Sequence, residues 1–209
     1  AYPWDETVKI MNPLSADLGV MRQTLLFGGL ESIVRNINRK AQNLRFFEVG
    51  NVYKYNKEKW TEDSPVKAYI QKHHMALWVT GKHIQGSWAH PDEESSFYEL
   101  KAYVENILRR IGIAQGLLVY AKSDNNIFDK AIALKTRAGK TLVEMGILAH
   151  KLLKRFNIEQ KVYYAELDWT GLMKVIRKNK LQFHEISKYP AVSRDLALLV
   201  DNNVEFAQI

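Results

Sequence analysis

The sequence predicts an α+β fold with a mainly antiparallel sheet flanked by helices. Three observations carry this expectation. Short extended runs are interspersed with a few amphipathic helical stretches, and several of the extended runs fold back through turn residues. No internal repeat or low-complexity tract interrupts the order. The 209 residues are 46% apolar and 25% charged, the balance of a chain that buries a core.

Taken in order, Asn12 before Pro13 is biased away from helix, so residues 11–15 read as a turn. A helix is predicted over 22–40, because Leu26, Leu30, Ile33 and Ile37 recur on one helical face. Gly28 and Gly29 lie inside it at about 1 kcal/mol each in propensity, which points to a close backbone approach or a break. Residues 44–49 and 52–55 read as extended, 56–64 as a polar loop, and 75–80 as a second strand closed by Gly81. Ser96 and Glu99 have the spacing of a capping box ahead of the stripe Leu100, Val104, Ile107, Leu108 and Ile111, and Gly112 stands where a left-handed terminator belongs. A strand follows at 117–122. Residues 131–136 and 141–148 then flank a Gly139 turn as a hairpin, and a short helix is predicted at 151–156. A strand at 162–167 runs into a helix capped by Asp168 and ending near Ile176. The polar stretch 177–180 reads as a linker, so the expected domains are 1–182 and an incomplete unit at 183–209 whose strand is 195–200. The chain opens at Ala1 without Met and stops in mid-pattern, as a piece of a larger protein would.

Charge is uneven. Residues 1–100 hold 12 basic and 12 acidic side chains, and residues 101–209 hold 18 and 11, so the whole net charge of +7 lies in the second half. A basic half steers polyanions. Its clusters, Lys151, Lys154 and Arg155, then Arg177, Lys178 and Lys180, are the RNA-contact candidates, with a solvated surface as the plain alternative. The absence of Cys excludes disulfides, thiolate zinc and a cysteine nucleophile, and fits a cytoplasmic setting. No apolar run reaches the roughly 18 residues of a membrane span. His73 and His74 are adjacent and face opposite ways on a strand, so no metal site is expected. Neither a nucleophile elbow nor a phosphate-binding P-loop occurs.

Several blocks in one order carry a family resemblance. They are Asn12-Pro13-Leu14-Ser15, Met21-Arg22, Asn38-Arg39, Phe47-Glu48-Val49-Gly50, Tyr98-Glu99-Leu100-Lys101, Met145-Gly146-Ile147-Leu148-Ala149-His150, Glu166-Leu167-Asp168, and the run from Glu185 to Ala197 that contains Tyr189-Pro190-Ala191-Val192-Ser193-Arg194-Asp195. Together they resemble the bacterial phenylalanyl-tRNA synthetase beta chain family. The resemblance implies a class II synthetase-like module without a working active site, followed by the start of a ferredoxin-like anticodon-binding domain. It implies pairing with a catalytic alpha chain, in a complex of two alpha and two beta chains that uses ATP and magnesium to charge tRNA with phenylalanine.

The residues bear on the inactive reading. Catalytic class II cores place an Arg and a Glu two apart on one strand, which puts both on one sheet face. Here Arg45 and Glu48 are three apart, so a regular strand sends them to opposite faces unless a bulge intervenes. The Gly-rich third motif is reduced to Gly146, with Arg155 late in the following helix as the nearest ATP-binding candidate. Lys151 replaces the Pro that often follows the motif's His, and residues 126–130 stand where relatives often carry a His-Pro-Gly run. No catalytic, cofactor or metal residue is therefore expected, and Arg45, Glu48 and Arg155 remain the candidates if one exists. The stripe Leu26, Gly28, Gly29, Leu30, Ile33 and Ile37 is either core or a surface for the partner chain. Three functions stay open: a non-catalytic assembly module, a degenerate but active adenylating enzyme, and a stand-alone RNA-binding module.

Overall fold

A computed structural model describes residues 2–15, 18–113, 116–177, 188–202 and 204. It divides into two units, Ala1–Asn179 and Lys180–Ile209.

In the first unit the elements are α1 (Leu26–Ile37), β1 (Leu44–Tyr55), β2 (Tyr69–Thr80), β3 (Lys82–Ile84), β4 (Glu93–Glu94), α2 (Phe97–Arg110), β5 (Val119–Lys122), β6 (Phe128–Lys135), β7 (Thr141–Leu148), α3 (His150–Arg155), β8 (Val162–Asp168) and α4 (Trp169–Ile176). Six strands form one sheet in the order β1-β2-β8-β7-β6-β5, every neighbouring pair antiparallel, and β3 and β4 form a small hairpin of their own.

The sheet is covered on both faces. Leu26, Leu30 and Ile33 of α1 and Leu153 of α3 pack with Ala76, Trp78, Val162 and Tyr164 on one face. Leu100, Val104 and Leu108 of α2 and Leu172 of α4 pack with Leu77, Val79, Ala165 and Leu167 on the other. Because β2 sends alternate residues into two cores, its run Ala76-Leu77-Trp78-Val79 is apolar throughout and shows no in/out alternation. Edge strand β1 does alternate, since one of its faces carries the exposed Phe47 and Val49.

The local signals act as physics requires. Ser96 Oγ accepts from the Glu99 amide at 3.4 Å, and Asp168 Oδ1 accepts from the Gly171 amide at 2.7 Å. Gly112 and Gly139 take positive φ at +86° and +81°, ending α2 and turning the β6–β7 hairpin.

Three expectations change. Helix α1 starts at Leu26 rather than at residue 22, because Arg22 is held against the β1 edge: its carbonyl accepts from the Tyr53 amide at 2.8 Å and its Nε donates to the Asn51 carbonyl. It ends at Ile37, ahead of Lys40 at φ +67°. Strand β2 starts at Tyr69 rather than at 75, since it pairs with β1 without a break from Tyr55↔Tyr69 to Leu44↔Thr80. Its pairing with β8 begins only at His74↔Asp168, so residues 69–73 belong to a two-stranded arm beyond the six-stranded sheet.

In the second unit, the expected strand at 195–200 does not form among the described residues. A lone extended segment has no ladder to stabilise it, and Leu196 and Leu199 are exposed.

Candidate functional site

One register row crosses the sheet face beneath α1. Glu48 on β1 is paired with Ala76 on β2, Ala76 with Glu166 on β8, and Glu166 with Glu144 on β7. Directly paired residues share a face, so three carboxylates line up over Ala76. Each is satisfied by this chain's own donors. Arg22 Nη1 meets Glu48 Oε1 at 2.5 Å. Ser123 and Asn125, in the β5–β6 connection, donate to the two oxygens of Glu144 at 2.7 and 3.0 Å.

Glu166 is the most deeply held. Tyr164 Oη and Thr24 Oγ1 donate to its Oε2 at 2.6 and 2.7 Å, and His74 Nδ1 lies 2.9 Å from Oε1, a bond that needs the proton on Nδ1. Burial alone would raise this carboxyl. Hydrogen bonds from His74, Tyr164 and Thr24, with the His74 charge, outweigh it and hold Glu166 below the ordinary glutamate value. The Tyr164 phenol is pushed well up by burial and by the Glu166 charge. Tyr2 is raised for the same two reasons, partly offset by its bond with Thr24. Thr24 also accepts from the Leu26 amide at 3.1 Å, so the network sets the first turn of α1. His74 Nε2 is buried without a hydrogen-bond partner among the described residues.

Arg45 lies on the other face. Register through β1 is unbroken, so no bulge reunites it with Glu48. Its guanidinium grips Glu99 of α2 through Nε at 3.0 Å and Nη2 at 3.3 Å, and donates to the Lys82 carbonyl at 2.8 Å and to Ser95 Oγ at 2.9 Å. It ties β1, the β3–β4 hairpin and α2 together. Burial would raise Glu99, but bonds from Arg45, His83 and Tyr103 bring it below the ordinary value.

A triphosphate does not fit the carboxylate row. The Arg that would meet a phosphate is engaged on the opposite face, and a row of three carboxylates, each already bound to a donor of this chain, repels a triphosphate. Among the described residues no three His, Asp or Glu side chains converge as a metal site.

The remaining candidates separate. Leu26, Gly29, Leu30 and Ile33 are buried against this chain's own sheet, as the core alternative for this stripe expects; Gly28 is exposed and Ile37 half-buried. Gly29 serves the core, since a Cβ there would lie 2.1 Å from Trp78 Cε2. Lys151, Lys154, Arg155 and Arg177 are exposed, whereas Lys178 and Lys180 lie outside the described residues. Lys151 and Arg155 help to wall a cavity of about 640 Å³ between α3 and the segment leading into α1. The Thr24–His74–Tyr164–Glu166 network was not foreseen. Glu166 stood in a recognised block, but its partners become visible only once β2 is known to pair with β8.

The six-stranded antiparallel sheet with helices on both faces is the architecture of a class II synthetase-like domain. It is similar to a solved pyrrolysyl-tRNA synthetase from Desulfitobacterium hafniense, with a TM-score of 0.54 over 82% of this chain and 54% of that one, at 13% identity. Residues 1–169 match the phenylalanyl tRNA synthetase beta chain CLM domain, and the chain belongs to that family. It is 53% identical over 208 residues to a phenylalanine–tRNA ligase beta subunit of Bacteroides thetaiotaomicron, covering 100% of this chain and 25% of the relative. Against the beta subunit of Porphyromonas gingivalis it is 44% identical over 209 residues, covering 100% of this chain and 26% of that protein. The chain thus spans about a quarter of the length of these relatives. Among the described residues no helix is long and apolar enough to cross a membrane.

Proposed function

We propose that this chain is a non-catalytic assembly module of a phenylalanine–tRNA ligase beta subunit, pairing with the catalytic alpha chain. One observation carries the proposal. The Arg45–Glu48 pair is split between two sheet faces, and each residue is locked by an intramolecular ion pair, to Glu99 and to Arg22. A module so wired has given both of these charged side chains to its own fold. What it offers a partner is shape, including the exposed Phe47 and Val49 along edge strand β1.

The finer reading follows the family. The assembled ligase has two alpha and two beta chains, works in the cytoplasm, and uses ATP and magnesium to activate phenylalanine and charge its tRNA. Residues 1–182 are the synthetase-like module and residues 183–209 begin a ferredoxin-like anticodon-binding domain. The test has two arms. The chain alone should give no phenylalanine-dependent pyrophosphate exchange, and it should co-elute with the alpha chain at the mass of a mixed complex. Exchange by the pure chain would sink the non-catalytic reading; separate elution would remove the pairing.

A further inference from the structure

The cavity beside α3 is distinct from the carboxylate row. Arg22, Lys151 and Arg155 stand in its wall, with no carboxylate among the lining residues. Arg22 is already paired with Glu48. Lys151 and Arg155, four apart on α3, are exposed, line the cavity and make no ion pair with any described residue. The same wall exposes aromatic surface: Trp4 is 71% and Phe27 41% accessible, with Tyr2 edge-on to Phe27 at 5.8 Å. A second cavity of about 340 Å³ shares Trp4 and Thr7 with the first and adds Lys9, the carboxylate of Asp5 and the Tyr55–Tyr69 ring pair, 5.4 Å apart.

Free cations beside open aromatic rings, repeated across two adjoining cavities, form the arrangement that holds single-stranded nucleic acid. Rings stack on bases while Lys and Arg meet phosphates. We infer that this double cavity binds an unpaired stretch of RNA, with Lys151 and Arg155 on successive phosphates and Trp4 between two bases. A free nucleotide carries the same base and phosphate, but it would fill only one cavity. The inference goes beyond the assembly role and is tested without the alpha chain, so its failure leaves the pairing untouched.

The probe is a fluorescent single-stranded oligouridylate of about ten nucleotides, titrated against the full chain over a range of salt. K151A/R155A should weaken binding and reduce the slope of log K against log salt by about 1.4, the share of two phosphates on a single strand. W4A should weaken binding about tenfold with the slope unchanged, the signature of a lost stack. Both variants alter exposed side chains, and unchanged urea midpoints confirm the fold. AMP should fail to displace the oligonucleotide at equal concentration. The inference is overturned if K151A/R155A keeps the wild-type slope, or if AMP binds more tightly than the strand, which makes the site one for a free nucleotide.

Discussion

Adjacent glycines in α1 should respond to the same substitution with opposite signs. At Gly29 an added methyl would sit 2.1, 2.3 and 2.7 Å from Trp78 Cε2, Cζ2 and Cδ2. Carbon atoms rest about 3.5–4.0 Å apart, so the overlap exceeds an ångström. The indole cannot step aside easily, being 1% exposed and tilted against Tyr164 at 5.4 Å between ring centroids. Overpacking of this kind costs about 3 kcal/mol, while replacing Gly by Ala in a helix returns about 1, leaving G29A about 2 kcal/mol less stable. At Gly28 the nearest heavy atom is Glu48 Oε2 at 3.9 Å and the position is exposed, so G28A keeps the helix gain of about 1 kcal/mol. Urea unfolding followed by tryptophan fluorescence reads the difference. With a slope of about 2 kcal/mol per molar, the two midpoints should lie about 1.5 M apart, on either side of wild type. A G29A midpoint at or above wild type would refute the close-approach argument, and a G28A midpoint as low as that of G29A would show that α1 rejects any methyl there.

The other predictions concern charge. R45A should cost about 2 kcal/mol in the same urea assay, because it leaves the part-buried Glu99 with only His83 and Tyr103 and removes the bond to Ser95, whereas E48A, removing one end of a more exposed pair, should cost less than about 1; equal losses would mean that the two faces are not energetically distinct. Glu99, Glu166 and Asp168 all titrate below their ordinary values when folded. The stability they confer is therefore complete above the unfolded values of about 4.3 and 3.9, and is lost as pH falls through the folded ones. Urea midpoints between pH 7 and 3 should drop below pH ~4.3, and the drop should shrink in E166Q; a pH-independent midpoint would contradict the network. Asp168→Ala removes the α4 cap together with the partner of Lys72 and Lys140, and should cost about 2 kcal/mol by the same measurement; a loss of a few tenths would mean that solvent replaces the cap.

Much of the fold was legible because its signals are local. The Leu26–Leu30–Ile33 stripe, the Ser96 and Asp168 caps and the Gly139 turn each act within a few residues. Periodicity places the start of α1 four residues too early because Arg22 answers to a partner 29 residues away, which apolar spacing cannot register. The first half of β2 carries no apolar signal, because four of the five residues Ile70-Gln71-Lys72-His73-His74 are polar, and only β1 alongside makes it a strand. At the site, strand parity alone separates Arg45 from Glu48. By contrast, the bonds that hold Glu166 span 92 residues to His74 and 142 to Thr24, and no spacing rule reaches that far.

The arm formed by residues 69–73 with the end of β1 has a dynamic consequence. Its residues pair with β1 alone where 74–80 lie between β1 and β8, and among the described residues only the His73 amide finds an acceptor on the open side, Thr170 Oγ1 at 2.9 Å. Hydrogen exchange should therefore change sharply at His74, with sub-global opening on the arm side and near-global opening beyond it. The arm extends roughly 17 Å, and a two-stranded ribbon twists more freely than a six-stranded sheet. Tyr55 and Tyr69 sit at its far end and form part of the smaller cavity's wall. Val52 anchors the base of the arm in the core beneath α1, so it is bending of the ribbon beyond Val52 that would change the width of the surface around Trp4.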